Sequence, residues 1–219
     1  MTGTNSHISQ SRTTTAHGHR SSIRDFNSSE QLVIQFAMGN DVSLVMPIIR
    51  NLGNRLRALQ VMDEREISRV GIALHEALLN AIYHGNLELD SELRQEDESR
   101  FHDLAEIRRH QAPYRDRQVV VRFVLSGDAA TFVIRDEGLG FDLTAVADPT
   151  QGENVFRVGG RGLLMIRSFM DTVHHNVCGN QITMVKKISQ HSEVPHATGT
   201  RVVPNHRPAE KVMEMQILL

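Results

Sequence analysis

Large hydrophobic residues recur at every second position, Leu32, Ile34, Phe36 and Met38, the period of a strand with one buried face. Steps of three and four then take over. Val42, Val45, Ile49, Leu52, Leu56 and Leu59 mark a helix, and Pro47 requires that helix to begin close by, since proline is tolerated only in a first turn. Asp63 with Glu66 three residues later has the spacing of a capping box. A second helix follows through Ile67, Val70, Leu74, Ala77 or Leu78 and Ala81, to about Tyr83. Residues 118–126 and 130–135, rich in Val and Phe around Gly127-Asp128, predict a hairpin. After Gly162, the residues Leu163, Ile166, Phe169 or Met170 and Val173 predict a short amphipathic helix. Residues 172–177 and 181–188 predict a last hairpin around Cys178-Gly179-Asn180. Hairpins mixed with helices, without strict alternation, predict an α+β two-layer sandwich with its helices on one sheet face.

The pattern fails in three places. Residues 88–117 carry nine acidic and six basic side chains, with Phe101, Leu104 and Ile107 as an apolar ridge at helical spacing. They read as a solvated helical insertion. Residues 1–29 hold twelve Ser or Thr and few large apolar side chains, too little to offset the entropy of ordering, and are expected to be a disordered tail. Residues 190–219 include Pro195, Pro204 and Pro208 and end in an apolar-rich stretch, which reads as a second, extended tail. Six histidines fall in these tails, without Cys or carboxylates at ligand spacing, so a metal site is not expected there.

Composition narrows the function. The 24 basic and 26 acidic residues leave a net charge of -2, which offers no general pull toward nucleic acid. The one cysteine forms no internal disulfide. No apolar run reaches the roughly 20 residues of a membrane span, and residues 1–20 lack the apolar core of a secretory signal, so a cytoplasmic protein is expected.

Three segments have the makings of chemistry. Glu76 and Asn80 lie four apart on the second helix, so a carboxylate and an amide project from one face of an apolar segment. The amide oxygen is a hard ligand that holds Mg²⁺ without adding charge, and the carboxylate can take a proton from an attacking hydroxyl or water. The ordinary alternative is that both face solvent, with His75 beside them structural. The second segment is DEGLGF at a strand end. There Gly138 and Gly140 let the backbone approach a ligand and Asp136 accepts from a donor such as an exocyclic amine; an unliganded loop is equally compatible. Third, Gly159-Gly160-Arg161-Gly162-Leu163 precedes a helix whose N-terminal amides suit an anion. Residues 148–158 ahead of it suggest a flap, with Arg157 and Arg161 as candidate phosphate contacts.

Taken in order, these segments resemble the GHKL family of ATP-binding domains, which includes histidine kinases, heat-shock chaperone ATPases, gyrase and MutL. The resemblance covers residues 30–189 and implies a Bergerat-type fold, a mixed, mostly antiparallel sheet with helices packed on one face. HEALLNAIYHGN, DEGLGFD and GRGLLMIRSFMDTV are most similar to the RsbW-type anti-sigma factor serine/threonine kinases of bacterial partner switching. By that resemblance Asn80 ligates Mg²⁺, Glu76 is the general base, Asp136 binds adenine through its exocyclic amine, and Gly138 and Gly140 line the base pocket. Gly160, Arg161, Gly162 and Leu163 cradle the phosphates. His84 takes no catalytic role and is expected to cap the helix end. The insertion is longer than compact members have, and both tails are additions. A full histidine kinase is not expected, because no dimerisation helix pair with a phosphoacceptor histidine is read ahead of the domain, and gyrase or MutL is not expected of a chain of this length.

The resemblance thus implies an enzyme that uses ATP and Mg²⁺ to phosphorylate a small antagonist protein and that sequesters a sigma factor or similar regulator. The alternatives are a nucleotide-binding module that sequesters partners with little or no catalysis, and a slow ATPase. It also implies a homodimer, with Ile34, Phe36 and Ile49 as one candidate surface, although such stripes more often pack in a core. Direct nucleic-acid or membrane partners are not expected.

Overall fold

The computed structural model describes residues 31–141 and 161–188, together with the backbone of Glu210–Glu214. The strands are β1 (Gln31–Met38), β2 (Val119–Leu125), β3 (Ala129–Arg135), β4 (Thr172–His175), β5 (Gln181–Lys187) and β6 (Glu210–Glu214). They form one sheet in the order β4-β5-β3-β2-β1-β6. β6 runs parallel to β1, and every other neighbouring pair is antiparallel. The sheet is therefore mixed and mostly antiparallel, as expected. A strand inside 190–219 was not: the segment read as a tail contributes β6 to the β1 edge.

Alternation decides which face of the sheet is buried. Phe36 pairs with Val121, Ile34 with Phe123, Phe123 with Phe132, and Phe132 with Met184, so one face carries a continuous row of large apolar side chains. Phe123 and Phe132 stack with ring centroids 5.0 Å apart. The opposite face presents half-buried Val124, Val133 and Thr183 and exposed Arg122. Helices α1 (Val45–Ala58), α2 (Glu64–Asn80) and α5 (Arg161–Phe169) supply the other layer and share one core with the inner face.

The helix boundaries follow local chemistry. Asp41 accepts from the Ser43 amide at 2.9 Å and starts a 3-10 turn, Val42–Leu44, that leads into α1. Pro47 is then the third residue of α1, where its missing N–H costs no intrahelical bond. Asp63 and Glu66 form the expected capping box at α2. α1 turns Ile48, not Ile49, fully inward; Ile49 stays half-buried. Ile34 and Phe36 go to the core, which removes them from any dimer surface.

The insertion is helical: α3 (Ser91–Glu96) and α4 (Glu98–Arg109). The expected ridge holds at Phe101 and Leu104, which pack on the core, and ends before Ile107. Phe101 is fully buried edge-on to Tyr83 and Ala105 is buried beside it, whereas Ile107 is exposed. Among the described residues no helix is long and apolar enough to cross a membrane. The expectations for residues 1–29, the flap at 148–158, Arg157, Gly160 and the six tail histidines lie outside the described residues.

Candidate functional site

The last turns of α2 present Glu76 and Asn80 on one face, and that face meets the start of α5. The approach is close: a Cβ on Gly162 would stand 2.7 Å from Glu76 Oε2, displacing the carboxylate, and 3.8 Å from Asn80 Nδ2. Carboxylate, amide and the first turn of a helix thus converge. His75 lies on the other side of Glu76, its Nδ1 3.7 Å from Glu76 Oε1. Arg161 is the first residue of α5 and is exposed.

Beyond Asn80 the chain widens into a π-helical turn, Ala81–Asn86, of a kind that often accompanies functional sites. It carries Gly85 up to Asp136, which follows the last residue of β3. The fit is tight: a Cβ on Gly85 would stand 2.6 Å from Asp136 Oδ1, and one on Gly138 would collide with the Gly85 carbonyl. The Gly138 amide donates to Asp136 Oδ1 at 2.9 Å. Gly140 has φ +76°, a left-handed conformation that lets it pass the Cys178 carbonyl. Burial pushes the Asp136 carboxyl up to about 6, against the Gly138 amide and the charges of Arg117 and Arg135, which hold it down.

A cavity of about 410 Å³ joins these groups. Asn80, Asp136, Gly140 and Leu163 line it, between apolar walls that include Ala77, Ala81, Ile134 and Ile182. Glu76 and Gly162 stand at the α2–α5 contact, and Gly138 braces Asp136 from behind. A buried acceptor at an apolar floor and an amide ligand at the α5 end suit a nucleotide: the base for Asp136, the phosphates for the α5 start. Among the described residues no group of three His, Cys, Asp or Glu could hold a metal alone. Asn80 as a single protein ligand fits Mg²⁺, which commonly binds through one or two side chains plus substrate phosphates.

The lining also includes His84, expected at the helix end, and Asp90, Ser91 and His175, which were not singled out in the sequence. His84 Nδ1 donates to the Leu89 carbonyl at 2.7 Å, since a carbonyl only accepts. The ring therefore ties the start of the insertion to the helix end, and it also faces the cavity, as do Asp90 and Ser91. Phe141 and His175 meet edge-on at 5.4 Å at the cavity wall, where burial lowers the His175 pKa, helped by Arg167.

Asn86, the last residue of the HEALLNAIYHGN segment, had no role assigned from the sequence. It is fully buried; its Nδ2 donates to Asn40 Oδ1 at 2.8 Å, and its Oδ1 accepts from the Glu137 amide at 2.8 Å. Its carbonyl accepts from Arg117 at 2.8 Å. The side-chain amide thus ties the loop next to Asp136 to the turn after β1, while the backbone carbonyl holds the end of the insertion. An asparagine after His-Gly reads as a loop residue, so only the fold exposes this role.

No curated protein gives a significant match to the chain. The family model described as a histidine kinase-like ATPase domain matches residues 40–186, well over half of the chain and spanning α1 to β5. With an α+β sandwich of the required topology and a cavity shared by Asn80 and Asp136, the chain belongs to the histidine kinase-like ATPase domain family.

Proposed function

We propose that the protein is a Mg-ATP-dependent serine/threonine protein kinase of the anti-sigma factor type, which phosphorylates a small antagonist protein and sequesters a sigma factor or similar regulator. The observation that carries the reading is the convergence of Glu76 and Asn80 on the start of α5. A non-catalytic nucleotide module has no need of a carboxylate at that place.

The chain's groups divide the work. Asp136 accepts from the exocyclic amine of adenine and so orients ATP with its phosphates toward Asn80 and Gly162. The N-terminal amides of α5 and the Arg161 guanidinium stabilise negative charge on the phosphates. Asn80 would hold Mg²⁺, and the ion would supply positive charge where negative charge develops on the transferred group. Glu76 takes the proton of the substrate hydroxyl as that oxygen bonds to the γ-phosphorus; the bond from γ-phosphorus to the bridging oxygen breaks and ADP leaves. Most of the rate enhancement comes from positioning and preorganised charge.

The test is phosphate transfer from γ-labelled ATP to the small antagonist proteins of the source genome, each purified and incubated with the chain. Glu76→Ala is expected to lower transfer about 10²- to 10⁴-fold while ATP affinity holds. Transfer that is absent from the wild type, or unchanged in Glu76→Ala, overturns the kinase reading. Phosphate release without any protein substrate would instead identify an ATPase.

A further inference from the structure

A second groove, of about 520 Å³, runs between α1 and α2 away from the nucleotide cavity. Two glycines create it. A Cβ on Gly53 would reach to 3.5 Å from Ile67 and one on Gly71 to 3.4 Å from Ile49, so their absence leaves a trough where the helices cross. Met46 and Ile72 stand on its rim, 52% and 42% exposed. Large apolar side chains gathered around a trough mark an interaction surface.

The charged side chains that line it, Arg50 and Arg57, are both basic. No carboxylate lines the groove, whereas Arg50 does. Arg65 and Arg69 precede the lining residues Ser68 and Ile72 by three positions on α2 and flank the same side. Arg50, Arg65 and Arg69 have no hydrogen bond or ion pair among the described residues. Arg57 differs: it forks onto Glu64 at 2.6 and 2.9 Å, so its charge is already matched. An apolar floor beside three unmatched guanidinium groups is the complement of an amphipathic helix with acidic flanks. From Met46 to Arg57 the trough is about 17 Å long, three turns of such a helix.

Position decides the occupant. The groove ends at His75, whose ring adjoins Glu76. We propose that the α1–α2 groove docks an acidic amphipathic helix of the protein substrate and so brings its hydroxyl-bearing segment to Glu76; that the docked protein is the substrate rests on the kinase reading above.

Fluorescence anisotropy without nucleotide tests the docking. The probes are three labelled 14-residue peptides: a leucine-faced helix flanked by glutamates, a scramble of the same composition, and the leucine-faced helix flanked by lysines. The acidic helix is expected to bind and the scramble to fail. Arg50→Glu with Arg69→Glu is expected to weaken the acidic peptide about tenfold or more and to gain the lysine peptide. Gly53→Leu, which fills the trough, is expected to weaken it similarly, with thermal melts of both variants confirming the fold. Equal binding of the scramble, indifference to charge reversal, or a wild-type dimer in sedimentation that Gly53→Leu converts to monomer overturns the proposal. Peptide binding without phosphate transfer to any antagonist overturns the kinase reading and keeps the docking; transfer without peptide binding does the reverse.

Discussion

Asp136 should be costly to the empty protein and necessary to the bound one, and both consequences can be measured. The residue is 8% exposed, and burial raises its carboxyl from 3.8 to about 6. A raised carboxyl pKa means that the folded chain holds the proton more tightly than the unfolded chain. Folding stability is therefore gained as the pH falls through about 6 and is fully recovered below about 4. At pH 7 the ionised group costs about 3 kcal/mol, the shift converted at about 1.4 kcal/mol per unit. Asp136→Asn removes the charge and keeps an acceptor for the Gly138 amide. Without nucleotide, the variant should melt above the wild type at pH 7.5 by up to about 6 to 12 °C, the gap closing by pH 4. Nucleotide binding should run the other way. If only the carboxylate accepts well from the adenine amine, wild-type Kd rises about tenfold between pH 7.5 and 5, a change the variant lacks. Comparison with the variant removes the titration of ATP's own phosphate, which both proteins share. Calorimetric titrations and melts across that pH range suffice. A wild-type affinity whose pH dependence matches the variant's, or a variant less stable than wild type at pH 7.5, would refute the reasoning.

Other substitutions follow from the same geometry. Asn80→Ala should abolish the Mg²⁺-dependent part of ATP affinity, by about tenfold or more in calorimetry, with metal-free binding little changed. Gly162→Ala places a methyl group against the Glu76 carboxylate, so kcat for phosphate transfer should fall by more than KM for ATP rises. Asn86→Ala strips a buried network and should destabilise the fold by about 1 to 3 kcal/mol in urea melts, with weakened ATP binding as the Glu137 amide loses its acceptor.

The periodic elements were legible because one-sided burial writes itself into the chain. β1, the β2–β3 hairpin and the capping box at Asp63 all appear where alternation and capping chemistry placed them. The site was legible in part for a related reason: glycines and an isolated carboxylate stand out in apolar surroundings. What escaped was non-local. Asn86 gains its meaning from Asn40 and Glu137, 46 and 51 residues away, and no window along the chain contains all three. Of the insertion's ridge, Phe101 and Leu104 reach the core and Ile107 does not, because helical spacing names a ridge without saying where along it the core ends. β6 joins β1 across nearly the whole chain, a pairing that local pattern does not encode.

The insertion also has a closure that sequence length conceals. Glu88 at its start and Arg117 at its end form an ion pair at 2.7 Å, and Arg108 donates to the carbonyls of Leu87 and Glu88 at 2.7 Å each. Arg108 and Arg117 both lie against the Tyr114 ring, at 5.0 and 5.2 Å. The segment therefore leaves the domain and returns to it at one point. Loop-closure entropy grows only with the logarithm of length, about 0.6 kcal/mol per doubling, so a segment clamped at its base can lengthen or diversify at little thermodynamic expense. The insertion is in this sense a cassette, free to change its outer face. The freedom stops at Leu89, Phe101 and Ala105, whose burial makes them part of the core of the domain that carries the cassette.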